Sequence, residues 1–411
     1  MAPLASRFKA GPPLTALLLV LAAGLRADQR PSGADGALPV DRVVAARVDL
    51  ARLSDTVGLI LEAGVRDSAF PGAIAVIGTR DGILTERAAG QLDWAPSPKG
   101  IPSANTLWDL ASLTKVVGLT TAVMQLTEQE TLDLDALVVR YVPEFSGKGK
   151  DRVTVRHLLT HSSGLPAWRP LYKEAPTPDS ALALVFATSL DTVPGARMLY
   201  SDLGAILLGQ IVVRVSGEAF DRYLEQHVLE PLGMRSTMFR PPPALVGRIA
   251  PTEVDPWRGR HLWGEVHDEN AYALGGVSSH AGLFSTARDV TRFARMMLGG
   301  GSLDGATIVA PETIAAFTRV QDAAVSHRAL GWETANGTNS GGHLLSSRAF
   351  GHTGFTGTSL WIDPENNLFI LLLSNRVNPT RERRGIFAVR VALADAVMTV
   401  VGNRAATGRG Q

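Results

Sequence analysis

The chain has 411 residues, 45% hydrophobic and 19% charged, with 41 Gly and 24 Pro spread along it and not gathered into a low-complexity block. That is ordinary soluble globular composition, with ample length for a large core. A formal net charge of +1 gives no electrostatic case for binding nucleic acid or an anionic membrane, and the absence of Cys excludes disulfides, thiolate metal sites, a cysteine nucleophile and a lipid-modified N-terminal cysteine.

Arg7 and Lys9 precede the apolar run 14–25 (LTALLLVLAAGL), and small residues stand at Ala22, Ala23, Gly24 and Ala27. This pattern predicts a signal peptide over 1–27, too short to span a bilayer comfortably, and hence a periplasmic or secreted protein with no stable membrane span after cleavage. Its removal takes three basic residues and no acid, leaving 37 basic against 39 acidic residues. A polar linker is expected at 28–40, a single domain at 41–401 and a disordered tail at 402–411.

Within the domain, 41–67 carries Val, Leu and Ile at helical spacing, and two β-rich runs (72–82 and 83–93) flank Asp81-Gly82, a hairpin turn. A helix-rich middle follows from about 110 to 235, then a loop-like stretch at 240–285 and a helix at 287–298. The runs TSLWIDP and NLFILLLSN flank the turn 363–366, and a last helix is expected at about 382–401. Strands at both ends with helices between predict an α+β fold: one antiparallel sheet built from N- and C-terminal segments, with an inserted helical region.

Ser112-Leu113-Thr114-Lys115 is the first element that bears chemistry. A serine hydroxyl needs a base to become nucleophilic, and a lysine three residues later on a helix lies on the same face. To serve as that base Lys115 must be neutral, a form that burial among its apolar neighbours favours. The spacing alone is cheap, because Ser6 and Lys9 repeat it inside the expected signal peptide. Tyr200-Ser201-Asp202 opens the apolar helical run 203–212, and a phenol beside a lysine can relay a proton. His352-Thr353-Gly354-Phe355 stands directly before a strand; a Gly-rich edge admits close approach of substrate, and the N–H of Phe355 with that of Ser112 can form an oxyanion hole.

In this order the three elements resemble the serine β-lactamase and penicillin-binding-protein family, with its S-x-x-K, Y-x-N or Y-x-S, and K-T-G motifs. The gap from Ser112 to Tyr200 is similar to that of the class C branch and its esterase and peptidase relatives, as are 153–166, 200–211, 230–234 and 281–293; the resemblance covers about 45–400. It implies the β-lactamase/transpeptidase-like fold, Ser112 as nucleophile, Lys115 as base, Tyr200 as proton shuttle, and a substrate site that includes Asp202, His352, Thr353 and Gly354. It implies neither a metal nor an organic cofactor.

Two departures bear on substrate. Asp202 stands where many relatives have Asn, and His352 stands where K-T-G has lysine; an imidazole only partly charged near neutrality holds a carboxylate less firmly. Both lower the expectation of β-lactam or D-alanyl-D-alanine turnover. The loop 247–276 resembles a subset linked to cell-wall peptide processing, so the expected substrate is a small molecule or a muropeptide, with a carboxylesterase or weak β-lactamase as alternatives. Its His267-Asp268-Glu269-Asn270 either lines the substrate mouth or anchors the loop. His157 and His161 have i,i+4 spacing but lack the Glu that a zinc-binding H-E-x-x-H motif carries, so a structural role beside the site is expected. A non-catalytic receptor for cell-wall fragments is the remaining class, against which Ser112, Lys115 and Tyr200 together argue for an enzyme.

Overall fold

The computed structural model describes residues 48–402; the expected signal peptide, the linker and the tail beyond Gly402 lie outside the described residues. The first helix, α1 (Leu50–Arg66), is capped by Asp49, whose carboxylate accepts the Arg52 N–H. Its Leu53, Val57 and Leu61 are buried at spacings of four, which turns one face to the sheet. The hairpin β1 (Gly72–Gly78) and β2 (Ile83–Gly90) follows, closed where Thr79 N–H donates to Gly82 O. After the short strand β3 (Trp108–Asp109) comes the helical middle: α2 (Thr121–Glu128), α3 (Val155–Leu159) and α4 (Asp202–Ser216).

The stretch 240–285 is less irregular than expected. It holds a helix, α5 (Glu269–Ala273), and a strand, β5 (Leu283–Ser285), that pairs with β3 on one side and with β4 (Met238–Phe239) on the other. Next come α6 (Ala287–Leu298) and four strands: β6 (Glu333–Thr334), β7 (Phe350–Thr353), β8 (Ser359–Asp363) and β9 (Leu368–Ser374). The last helix, α7, runs Ile386–Gly402, starting later than expected and leaving 381–385 as a loop.

The main sheet has six antiparallel strands in the order β6-β7-β8-β9-β1-β2. β9 lies directly against β1, with Ala73 opposite Ser374 and Gly78 opposite Phe369, so both ends of the chain meet in one sheet. That is the α+β arrangement read from the sequence. β1 and β9 are buried throughout because both sheet faces are covered. Ala73, Ala75, Ile370 and Leu372 pack with Leu53, Leu61, Leu393 and Val397 of the two terminal helices, while Ile74, Val76, Leu371 and Leu373 join the core of the helical middle. Among the described residues no single helix is long and apolar enough to cross a membrane.

Candidate active site

Ser112 lies on a 3-10 turn (Ala111–Leu113) whose Leu113 packs into the core of the helical middle, and the turn runs into a π-helical segment (Lys115–Thr120) before α2 begins. The single regular helix expected here is therefore wider at its start; Thr121 Oγ1 donates to Val116 O at 3.0 Å within the widened turn. Ala111, just before Ser112, has φ +46°, an unfavourable conformation for a residue with a Cβ, which costs on the order of 1–3 kcal/mol and must be held by its surroundings. Buried Asp109 does much of the holding: its carboxylate accepts the Ala111 N–H at 2.8 Å and the His267 N–H at 2.7 Å. The hydroxyls of Thr356 and Thr358 donate to the carbonyls of Asp109 (2.7 Å) and Leu110 (3.0 Å), stitching the turn after β7 to the Ser112 turn. Gly354 lies in that seam. A Cβ there would stand 2.0 Å from Thr358 Oγ1 and 2.5 Å from Leu110 O, so only glycine fits.

Lys115 reaches back to Ser112 as the spacing predicts, with Nζ 3.0 Å from Ser112 Oγ. Nζ also donates to His280 O at 2.9 Å and lies 2.7 Å from Asp202 Oδ1, the latter an ion pair more than an aligned hydrogen bond. Three oxygens thus surround a group that offers three protons as an ammonium and only two as an amine. Burial by itself would lower the Lys115 pKa; the Asp202 carboxylate and Tyr200 outweigh it and push it up to about 12. The neutral lysine expected from burial is accordingly corrected to a cation. The residue responsible is Asp202, which opens α4 behind the Ser201 cap, where the helix N-terminus favours an anion.

Tyr200 lies beside this pair, with Lys115 Nζ 5.0 Å from its ring centroid. Its buried hydroxyl makes no aligned hydrogen bond, and burial raises its pKa, so it is a neutral phenol. The His161 ring packs on it at 4.4 Å and the His352 ring at 5.8 Å. His352 is 1% exposed; burial, Arg328 and Lys115 hold it well below the usual histidine range. This corrects the half-charged imidazole expected near neutrality: His352 is neutral, with Nδ1 donating to Thr353 O at 2.9 Å and a buried Nε2 that has no partner among the described residues. His161 is held down by burial and the same two cations. The i,i+4 pair has separate tasks, since His157 Nδ1 accepts the Thr154 N–H at the start of α3 and His161 Nδ1 accepts the Ser201 N–H.

One groove of about 470 Å3 brings together Ser112, Tyr200, His352, Thr353, Gly354 and Phe355. Phe355 follows the last ladder pair of β7, Thr353 opposite Ser359, so its N–H belongs to the turn and not to the sheet. Behind this turn Arg390 of α7 donates to Gly354 O (2.8 Å) and Thr358 O (2.7 Å), and Arg376 donates to Phe355 O at 2.8 Å. The arginines, Asp109 and His280 carry no local motif and were missed by sequence reasoning; the basic run 381–384 is the one visible hint.

The loop residues left open by the sequence are anchors. His267 pairs with Glu253 at 2.9 Å and stacks on Phe355, Asp268 pairs with His280 at 2.9 Å, and Glu269 pairs with Arg381 at 2.7 Å. Asn270 donates to Arg169 O and accepts the Tyr172 N–H. Asp268 thereby supports the residue whose carbonyl holds Lys115. A larger cavity of about 730 Å3, lined by Tyr172 together with Trp257 and Tyr272 of this same loop, contains none of the candidate catalytic residues.

A family model described as Beta-lactamase matches residues 40–394. A protein of Salmonella agona (strain SL483), named "Putative D-alanyl-D-alanine carboxypeptidase", is 35% identical over 313 residues, 67% of this chain and 71% of that protein. Two solved structures share the fold. EstCE1, a hydrolase with promiscuous acyltransferase activity, superposes with a TM-score of 0.69 at 21% identity, over 85% of this chain and 99% of that one. A penicillin-binding protein homologue from Caulobacter crescentus gives 0.68 at 22% identity, over 85% and 97%.

Proposed function

The chain belongs to the beta-lactamase family, and from that premise we propose that it is an exported serine hydrolase that cleaves an amide or ester bond through an acyl-enzyme on Ser112, with peptidoglycan-derived muropeptides as its substrates. The observation that carries this reading is the contact of Ser112 Oγ with Lys115 Nζ at 3.0 Å in a groove shared with Tyr200 and the β7 edge. The muropeptide assignment draws on the carboxypeptidase name of the Salmonella agona relative, and the periplasmic or secreted location on the apolar N-terminal run.

In acylation, the neutral form of Lys115 takes the Ser112 proton as Oγ attacks the carbonyl carbon. The backbone N–H groups of Ser112 and Phe355 stabilise the oxyanion, and the neutral Tyr200 phenol protonates the leaving group. Thr353, Gly354 and Asp202 position the substrate, with His352 behind them as a neutral hydrogen-bonding wall. Water then attacks the acyl-enzyme with the same groups in reverse roles. Because Asp202 holds Lys115 as a cation, the base works in its minority form, and acylation is expected to speed up as pH rises.

Labelling with a fluorophosphonate tests the nucleophile. The intact chain should form one adduct at Ser112; Ser112→Ala should lose it, along with about 1,000-fold or more of turnover. Unchanged turnover in that variant would overturn the assignment. Muropeptides, p-nitrophenyl esters and a chromogenic cephalosporin assayed side by side test the substrate: ester cleavage without muropeptide cleavage removes the cell-wall reading and leaves an esterase.

A further inference from the structure

The cavity of about 730 Å3 is walled by rings that a folded domain ordinarily covers: Trp257 is 41% exposed and Tyr272 37%. Tyr172 meets Trp257 edge to face at 4.5 Å, and Trp257 meets Tyr272 in the same way at 5.9 Å. Trp168 extends the row, 6.2 Å from Tyr172. An edge-on contact uses the rim of one ring and leaves aromatic faces for something else to stack on. The rings are also held in place. Arg258, with its side chain 3% exposed, lies over Tyr272 at 4.9 Å and over Trp257 at 5.7 Å. Its guanidinium is fixed in turn by Asp255 at 3.2 Å and by donation to Val266 O at 2.7 Å. Asn270 accepts the Tyr172 N–H and so fixes the third ring's backbone. Exposed rings held this firmly do not have to be ordered when a ligand arrives.

The charges in the lining say what kind of ligand fits. They are Arg240 and Glu265, one of each sign, and both are already paired: Arg240 with Asp221 at 3.1 Å, Glu265 with Arg258 at 3.3 Å and Arg260 at 2.6 Å. A charged ligand therefore finds no unmatched partner here. Both groups keep hydrogen-bonding capacity, since a guanidinium has five donors and a carboxylate about four acceptor positions. A wholly apolar ligand would cover these groups without satisfying them. A pyranose meets both demands: its C–H bonds, polarised by the ring oxygens, lie on the negative face of an aromatic ring, and its hydroxyls turn to planar polar groups at the edge. The cavity volume is in the range of small-molecule sites. Its place is informative too. Glu265 and Val266 line the cavity, while the next residue, His267, stacks on Phe355 of the Ser112 groove at 5.7 Å.

We propose that this cavity is a subsite for a neutral saccharide, with Trp257 and Tyr272 stacking on a sugar ring and Arg240 and Glu265 holding its hydroxyls. One stretch of loop, 265–267, separates the subsite from the groove that holds Ser112. The proposal deepens the muropeptide reading and rests on it for the choice of an N-acetylhexosamine as the sugar, whereas the binding itself does not involve Ser112.

Calorimetric titration of the Ser112→Ala chain with N,N′-diacetylchitobiose reads the subsite without turnover, and indole serves as a neutral aromatic probe that has no hydroxyls. The disaccharide should bind with a Kd of about 1 mM or tighter. Trp257→Ala should weaken it about tenfold or more, and Trp257→Phe, which keeps a ring at that position, should lose less. Hydrolysis of p-nitrophenyl acetate by Trp257→Ala, with Ser112 intact, should stay within about twofold of the parent, which separates loss of the subsite from loss of the fold. If Trp257→Ala folds poorly, Trp257→Phe and Tyr272→Ala carry the same comparison. With muropeptides, Trp257→Ala should raise KM about tenfold for a glycan-bearing peptide and leave KM for the same peptide without sugar unchanged. No binding of the disaccharide, or binding that neither Trp257→Ala nor Tyr272→Ala weakens, overturns the proposal. Binding of indole without the disaccharide overturns it in favour of an apolar ligand. Absence of fluorophosphonate labelling at Ser112 would sink the hydrolase reading and leave the calorimetric comparison to decide the subsite by itself.

Discussion

On the Ser112 side of the groove the cation is matched: Lys115 has the Asp202 carboxylate at 2.7 Å and two further oxygens within 3.0 Å. Elsewhere along the groove four arginines stand with Glu333 as the one carboxylate in the lining, and Glu333 itself lies against Arg328 at 3.7 Å. The first wall is electrically complete without a ligand, and the second is not. A wall already satisfied is suited to holding a proton until it is wanted, whereas an unsatisfied one is suited to attracting a charged group from solution. The seam between them is the turn 354–358, tied to the Ser112 turn by Thr356 and Thr358 and to the arginine wall by Arg376 and Arg390.

Breaking the seam should have the largest effect. Gly354→Ala places a Cβ 2.5 Å from the Leu110 carbonyl, and no flexible side chain end on that backbone can move aside. Acylation of Ser112 by a fluorophosphonate should slow about 100-fold or more, the scale of losing one oxyanion-hole donor. A variant that labels at the normal rate would show that the two walls do not depend on this close approach.

Removing the match on the first wall should act next most strongly, and in the opposite direction. With Lys115 raised to about 12, its neutral fraction grows tenfold for each unit of rising pH across the neutral and alkaline range, and acylation should climb with it. Asp202→Asn removes the carboxylate that opposes deprotonation, so the Lys115 pKa falls and the climb moves to lower pH. Near pH 7 a neutral ester should then acylate Ser112 about tenfold faster or more in the variant than in the parent. Stopped-flow pH–rate profiles read the shift directly. A parent profile already flat above pH 7 would refute the ammonium assignment.

The contrast between the walls also marks what the sequence allowed. Ser112, Lys115 and Tyr200 were legible because helical spacing and short motifs encode local neighbours, and the antiparallel sheet was legible because apolar runs cluster at both ends of the chain. The charge on Lys115 was not, since its partner lies 87 positions away and no local pattern says that Asp202, the first residue of α4, meets the Lys115 ammonium. His352 misled for a related reason: β7 is buried almost throughout, so strand alternation gave no sign that its ring faces away from water. The anchors of 253–270 were hidden by range as well, because Glu253 meets Arg381 across 128 residues. A run such as 381–384 ordinarily reads as solvated surface, and only the fold brings two of its members into the groove that holds Ser112.

The smallest expected effect concerns stability, and it sharpens the picture of a cationic, dry first wall. His161 and His352 are both held well below the usual range by burial, Arg328 and Lys115, so the folded chain leaves them neutral while the unfolded chain protonates them below about pH 6.5. The unfolded state then binds more protons, and folding stability must fall as pH drops, by about 1.4 kcal/mol per pH unit for each histidine. Glu253 adds nothing in that window. Burial would raise its pKa, but hydrogen bonds from His267 and Arg381 hold it at about 2, so its loss begins only below about pH 4.3. Burial lowers His157 as well, so urea midpoints of the intact chain should decline between pH 6.5 and 5 through all three histidines, and His352→Asn should make that decline shallower, whatever it does to the midpoint at pH 7.5. A slope unchanged by the substitution would mean that the imidazole takes up its proton inside the fold, and that the first wall is wetter than its packing against Tyr200 implies.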